Sequence, residues 1–463
     1  MAEEKQRELR VVMFPWLAQG HITPFLELAK RLATHGLKIF FVSTPLNIKL
    51  RIRPQVLNTP GIDLVELAMP SVEGLPRGLE FSADVVKRAD APVILPLLSV
   101  AMDLLEKPFE ALLQQLSPDF VIYDVIQHWV PRVAAKLPHP IPPIVFVTPE
   151  VAGISYLEGQ LDTTSGNPSA EDLMVSPPGF PSPNIRFKLF EGRRAMEHLY
   201  RKRSDGLSIV ERLSICLRES WAIACNACSE LEGEYIDYLR RVVKKPVFSV
   251  GILMPKLTPL PLDDVCLRWL DTQPVGSVLV LSFGSQYILN HQQFSAIAMG
   301  LQESNVSFLW ILPAGHDLLQ GFQDQIGEKG LVVAKWAPQL HILNHPSIAA
   351  FLTHCGWNSM TEGLRFGVPL ITLPMQFEQG LCARLACELN VGVEVTRNNE
   401  DGSFTKEDIN KAIRVIMKEE EGAQIKCSVA KISDMLTNNN FEVSERNVRD
   451  FVSMLRTSNK QLG

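Results

Sequence analysis

Residues 336–379 hold the densest set of groups in this 463-residue chain that could act on a charged, hydroxyl-bearing molecule. His354, Asn358 and Ser359 bring side-chain donors to one turn, and Glu362 stands one helical turn further on, where a carboxylate can accept from hydroxyls. Trp336 and Trp357 offer flat faces to a planar ring. Two apolar runs, 348–352 and 369–374, have the length of buried strands. The first runs into Thr353-His354-Cys355-Gly356, then a helical pattern through Met360, Leu364 and Phe366 that Gly367 stops. A strand entering a helix through a glycine turn presents unpaired backbone N–H groups and the positive end of the helix dipole, which attract an anion. A phosphorylated, hydroxyl-rich, partly aromatic ligand would satisfy the whole set.

The elements that must hold these groups follow a β/α rhythm. A buried-strand pattern at 9–14 leads through Pro15-Trp16-Leu17-Ala18-Gln19-Gly20-His21 into a helix with Ile22, Phe25, Leu26, Ala29, Leu32 and Ala33 on one face. Gly36 ends that helix, and 38–44 is the next strand. A β-α-β opening predicts a parallel sheet with crossover helices. Further strands are expected at 63–69, 120–125, 144–148, 221–226 and 247–251, and then at 277–283, 307–312, 331–336, 348–353, 369–373 and 391–395. Residues 163–183 read as an exposed loop, and the basic cluster Arg193-Arg194 and Arg201-Lys202-Arg203 as a polar helical face. The proline-rich stretch 254–265 reads as a linker between a first domain, 1–253, and a second, 266–444. The fold class is α/β, with two doubly wound domains and ligands at the strand C-termini and in a cleft between them.

Composition excludes several functions. The net charge of −6 is spread with both signs mixed, leaving no basic footprint for nucleic acid or an anionic membrane. The eight cysteines form no framework; Cys225 and Cys228 make a CxxC with no second pair at zinc spacing and read as partly buried thiols beside a strand. The polar N-terminus lacks the apolar core of a signal peptide, and the most apolar run, 91–102, contains proline and is too short to span a bilayer. No DxD triplet is present to hold Mg²⁺ on a diphosphate, and His341-Ile342-Leu343-Asn344-His345 lacks the glutamate of a zinc motif, so no metal or other cofactor is expected.

His21 and Asp124 both fall at the C-terminal edge of predicted strands. A neutral imidazole there can take a proton at cytosolic pH, and a nearby carboxylate would orient it and steady the imidazolium. By position alone, a histidine at a helix start is more often a capping or surface residue. His128 and Trp129 read equally as pocket or core.

Trp336, Gln339, His354, Gly356, Trp357, Asn358, Ser359, Glu362, Pro369 and Gln379 stand at the spacing of a known signature box. The chain resembles the plant secondary-product UDP-glycosyltransferases, and the resemblance extends over most of its length. It implies a GT-B fold, two Rossmann-like domains facing a cleft, with the tail 445–463 returning to the first. It also implies that His21 is the base and Asp124 its partner. Trp336 would stack on uracil and Gln339 and Glu362 bind ribose. Ser285, His354, Asn358 and Ser359 would hold the pyrophosphate, and Trp357, Glu378 and Gln379 the sugar, with Trp16, His128 and Trp129 near the acceptor. The reaction implied is inverting transfer from UDP-glucose to a plant phenolic or terpenoid. Where the family has Asp before the final Gln this chain has Glu378, which leaves rhamnose, xylose and galactose open. The motifs VEGLP, DVIQHW and NEDGSF are similar to those of the branch-forming subgroup, which adds sugar to flavonoid or terpenoid glycosides; direct aglycone glycosylation is the alternative. A UDP-sugar binder without turnover is the reading from a different class. Animal relatives carry a signal peptide and membrane anchor, so a cytoplasmic enzyme with no membrane span is expected.

Overall fold

The computed structural model describes residues 7–88, 90–164, 168–257, 264–313 and 326–462. Part of the predicted linker, 258–263, lies outside the described residues. Its contacts divide the chain into two compact units. One comprises Met1–Val151, Lys202–Pro255 and Glu442–Gly463, the other Ala152–Arg201 and Lys256–Phe441.

The first unit is built on a seven-stranded sheet: β1 (Arg10–Phe14), β2 (Lys38–Ser43), β3 (Ile62–Glu66), β4 (Phe120–Asp124), β5 (Pro143–Val147), β6 (Ala222–Cys225) and β7 (Val247–Ser249). The order is β3-β2-β1-β4-β5-β6-β7, and every pairing is parallel. Strands covered by helices on both faces must be apolar throughout, and β4 is buried at all five positions. The helix Gln19–Thr34 turns Ile22, Phe25, Leu26, Ala29 and Leu32 into this core. Val448, Phe451, Val452 and Leu455 of the last helix, Asn440–Leu462, belong to the same core.

The second unit carries a six-stranded parallel sheet: β8 (Val278–Ser282), β9 (Ser307–Ile311), β10 (Gly330–Val333), β11 (Ile348–Thr353), β12 (Leu370–Thr372) and β13 (Gly392–Glu394), in the order β10-β9-β8-β11-β12-β13. Residues 152–201, which sequence alone assigns to the first domain, pack with this unit. Tyr156 meets the rings of Phe180 and Phe187 edge-on, Lys188 pairs with Glu394 at 2.8 Å, and Glu191 pairs with Arg384. The basic cluster divides: Arg193 and Arg194 lie on the helix Leu189–His198 and reach Glu400 and the Asp401 carbonyl, whereas Arg201–Arg203 lie past the helix end.

In each sheet the strand order reverses once, between β1 and β4 and between β8 and β11. At such a switch point the loops leaving adjacent strands run apart and open a crevice, where ligands of doubly wound folds bind.

Candidate active site

His21 follows β1 and Asp124 ends β4, so both stand at the switch point of the first sheet. His21 Nδ1 lies 2.9 Å from Asp124 Oδ2 and 3.0 Å from Oδ1. Asp124 is fully buried, and its Oδ2 also accepts from the Trp16 backbone N–H at 3.0 Å. A carboxylate facing Nδ1 holds the proton on that nitrogen and makes Nε2 the basic nitrogen of the ring. Thr148 Oγ1, just beyond β5, lies 3.1 Å from the same Nδ1. The imidazole is thus oriented from two strands. Nothing in the pattern around Thr148 sets it apart from other strand-end threonines, and sequence reasoning missed it.

Trp16, at 8% exposure, contributes its backbone rather than an open ring. Trp129 is 1% exposed and packs against Phe14 and Phe109, which makes it core. His128 lies 3.8 Å from Asp205, and burial lowers its pKa, with Arg212 adding to the effect.

In the second unit, Ser285 follows β8 and His354 follows β11, again at the switch point. After β11 the chain passes through Cys355 at φ +63°, then Gly356 as N-cap, into the helix Trp357–Arg365. A left-handed residue just before a helix turns successive N–H groups to one side, a concavity suited to an anion. Gly284, at φ +70°, lies so close to the His354 ring that a Cβ there would come within 2.8 Å of Cε1 and Nε2. A Cβ on Gly356 would meet Nε2 at 2.8 Å. The two glycines therefore let two stretches of backbone approach the imidazole closely. Burial pushes the His354 pKa down to about 4, the Ser282 backbone opposing it. The neutral ring offers an anion a hydrogen bond rather than a charge.

Gln339 Nε2 donates to Glu362 Oε2 at 2.7 Å, so the two expected ribose contacts are adjacent. Burial pushes the Glu362 carboxyl up to about 7, opposed by Gln339 and Arg365. The Trp336 ring is 79% exposed, free to stack on a planar group, whereas Trp357 is 4% exposed. Gln379 Oε1 accepts from the backbone N–H groups of Met375 and Gln376 at 3.0 and 3.1 Å, which leaves its amide N–H₂ for a ligand. Glu378 precedes it as the N-cap residue of the helix Gln379–Glu388. Among the described residues no three His, Cys, Asp or Glu side chains cluster as metal ligands.

A family described as "UDP-glucoronosyl and UDP-glucosyl transferase" matches residues 235–442, and one described as "Glycosyltransferase, N-terminal domain" matches 7–148. The chain is 35% identical to UDP-glycosyltransferase 91C1 of Arabidopsis thaliana over 99% of its own length and 98% of that protein's. The chain belongs to the plant UDP-glycosyltransferases. This glycosyltransferase is also 36% identical to the cyanidin-3-O-glucoside 2-O-glucuronosyltransferase of Bellis perennis, with 94% of each chain covered. It superposes on Glycyrrhiza uralensis UGT73P12, crystallised with glycyrrhetinic acid 3-O-monoglucuronide, with a TM-score of 0.82, 25% identity and 98% and 97% coverage. The two-domain GT-B architecture of the glycosyltransferase is that of its solved relatives. No helix among its described residues is long and apolar enough to cross a membrane.

Proposed function

We propose that this glycosyltransferase moves glucose from UDP-glucose, with inversion at C1, to a hydroxyl of a flavonoid or terpenoid that already carries a sugar. The observation that carries the catalytic assignment is the contact of His21 Nδ1 with both oxygens of buried Asp124. Nε2 accepts the proton of the attacking hydroxyl, and Asp124 steadies the imidazolium that forms. On the donor side Trp336 stacks on uracil, Gln339 and Glu362 hold the ribose, and Trp357, Glu378 and Gln379 meet the sugar. The turn carrying Ser285, His354, Asn358 and Ser359 takes the diphosphate. N–H groups already aimed at the leaving oxygens offset its charge without reorganisation, and no metal is assigned a part. The glycoside acceptor is supported by two relatives, one acting on cyanidin-3-O-glucoside and one crystallised with a triterpenoid monoglucuronide. That first relative transfers glucuronosyl, so the donor screen sets UDP-glucuronate beside UDP-glucose. The eight cysteines are all free thiols, in keeping with a cytoplasmic enzyme.

The test is a screen of UDP-sugars against flavonoid and terpenoid glycosides and their aglycones, read by mass spectrometry, with His21→Ala and Asp124→Asn alongside the wild type. We expect a glucosylated glycoside from the wild type and a kcat loss of about 10²- to 10⁴-fold in each variant, with UDP affinity kept. Unchanged turnover in His21→Ala would sink the base assignment. UDP binding without product from any acceptor would favour a non-catalytic binder.

A further inference from the structure

The segment from Pro374 to Gly380 carries Glu378 and Gln379, and the carbonyl at each of its ends is taken by a buried guanidinium. Arg397 donates from Nη1 to Pro374 O, and from Nε to Gly402 O at 2.7 Å. Arg384 donates from Nη1 to Gly380 O and from Nη2 to Glu191 Oε2. The two arginines, Arg397 and Arg384, are 6% and 8% exposed. Between these pins, Gln376 Nε2 donates to the Gln286 carbonyl at 3.3 Å, and Phe377 is held at φ +52°, a conformation unfavourable for a residue with a Cβ.

Arg397 makes no hydrogen-bonded ion pair among the described residues. Its hydrogen bonds go to carbonyl oxygens, and Nη2 has no hydrogen-bond partner among the described residues. A buried cation without a hydrogen-bonded carboxylate loses solvation that its surroundings only partly return. The rings of Phe190 and Phe404, 4.6 and 5.8 Å from its centre, return some of it. What this arrangement does supply is a fixed donor geometry, because a planar fork of N–H groups holds two carbonyls at a set separation.

We propose that Arg397, with Arg384 at the other end, is a positioning residue for the donor sugar. It fixes the segment that presents Glu378 and Gln379. This rests on the assignment of those two residues to the sugar in the proposed function. Arg397 bonds neither the ribose pair Gln339 and Glu362 nor the turn around His354, so its loss is felt at the sugar and not at the nucleotide.

The experiment is calorimetric titration of the full chain with UDP and with UDP-glucose, for wild type, Arg397→Met, Arg397→Lys and Gln379→Ala. We expect Arg397→Met to keep UDP affinity within about twofold and to weaken UDP-glucose by about tenfold or more, a misplaced contact being costly. Arg397→Lys, with its charge kept but no fork, should fall between. Parallel weakening of both ligands marks a merely structural role and overturns the proposal, as does no change in either. If Gln379→Ala selectively weakens UDP-glucose while Arg397→Met does not, only the positioning role fails. If Gln379→Ala has no effect, the sugar site was misassigned and the proposal falls with it. Should Arg397→Met not fold, Arg397→Lys decides: selective weakening of UDP-glucose supports the proposal, and any other result overturns it.

Discussion

Glu362 keeps its proton up to about pH 7 because burial disfavours the carboxylate more than Gln339 and Arg365 favour it. Folding therefore raises the pKa of this group above its value in the unfolded chain. Its contribution to stability is present below about pH 4.5 and is lost as pH rises through 7. Ribose hydroxyls donating to the ionised form would lower the pKa again, so binding near neutrality releases a proton. Titration with UDP at pH 7, in two buffers of different ionisation enthalpy, should show release of up to about half a proton, with affinity rising between pH 6 and 8. Glu362→Gln should release less, keeping only what the terminal phosphate of UDP gives up, since its second ionisation lies at about pH 6; equal release from both proteins would remove Glu362 from the ribose site. At this scale, side chains with unusual chemistry were legible in the sequence. The resemblance to the family implied His21 and Asp124 as partners and Gln339 and Glu362 as ribose contacts, and each pair lies within hydrogen-bond distance. Thr148 could not be anticipated, because a hydroxyl at a strand end acquires meaning only from the strand beside it. Trp129 remained ambiguous for the opposite reason: an aromatic residue after an aspartate looks the same in a pocket as in a stack with Phe14 and Phe109.

The strand–turn–helix elements were the most legible part of the fold. A strand buried on both faces shows itself as an unbroken apolar run, and each of the expected strands is present, with ends shifted by a few residues. The close approaches these turns require were less visible. Gly284 is one glycine among 28 in the sequence, and only the position of His354 shows why a side chain cannot stand there. Gly284→Ala should pay twice, through the left-handed backbone, about 1 kcal/mol for a residue with a Cβ, and through displacement of the ring from the anion turn. Gly276→Ala supplies the comparison, since Gly276 has φ +62° and nothing within 4 Å of where a Cβ would stand. Gly276→Ala should lower thermal stability slightly and leave UDP affinity alone, whereas Gly284→Ala should lower UDP affinity by about tenfold or more. Equal UDP affinity in the two variants would mean that His354 and its glycine cradle do not hold the diphosphate.

At the scale of the whole molecule, chain order and spatial order part company, and sequence reading is weakest there. Residues 152–201 directly follow β5 in the chain, yet they find partners in Arg384, Glu394 and the backbone of Asn399, more than 190 positions onward. Contacts of that separation leave no local pattern. The last helix is the converse case, because its amphipathic stripe shows a buried face without saying which core receives it. Val448, Phe451, Val452 and Leu455 are each exposed by 3% or less and join the core of the first sheet. Phe451 lies 5.8 Å from the Phe248 ring, Glu445 reaches His35 at 3.2 Å, and Arg456 donates to the His35 carbonyl at 2.8 Å. His35 caps the helix that begins beside His21, so the tail supports the element carrying the base. Replacing a buried phenylalanine with alanine costs about 3–5 kcal/mol through lost transfer energy and the cavity left behind. That is a large share of the roughly 5–15 kcal/mol typical of a folded domain. Phe451→Ala should therefore lower the unfolding midpoint sharply, whereas Ser453→Ala, on the exposed face of the same helix, should stay within about 0.5 kcal/mol of the wild type. Urea unfolding of the full chain compares the two directly. A Phe451→Ala variant as stable as Ser453→Ala would mean that the tail is an appendage and not a structural part of the unit that holds His21 and Asp124.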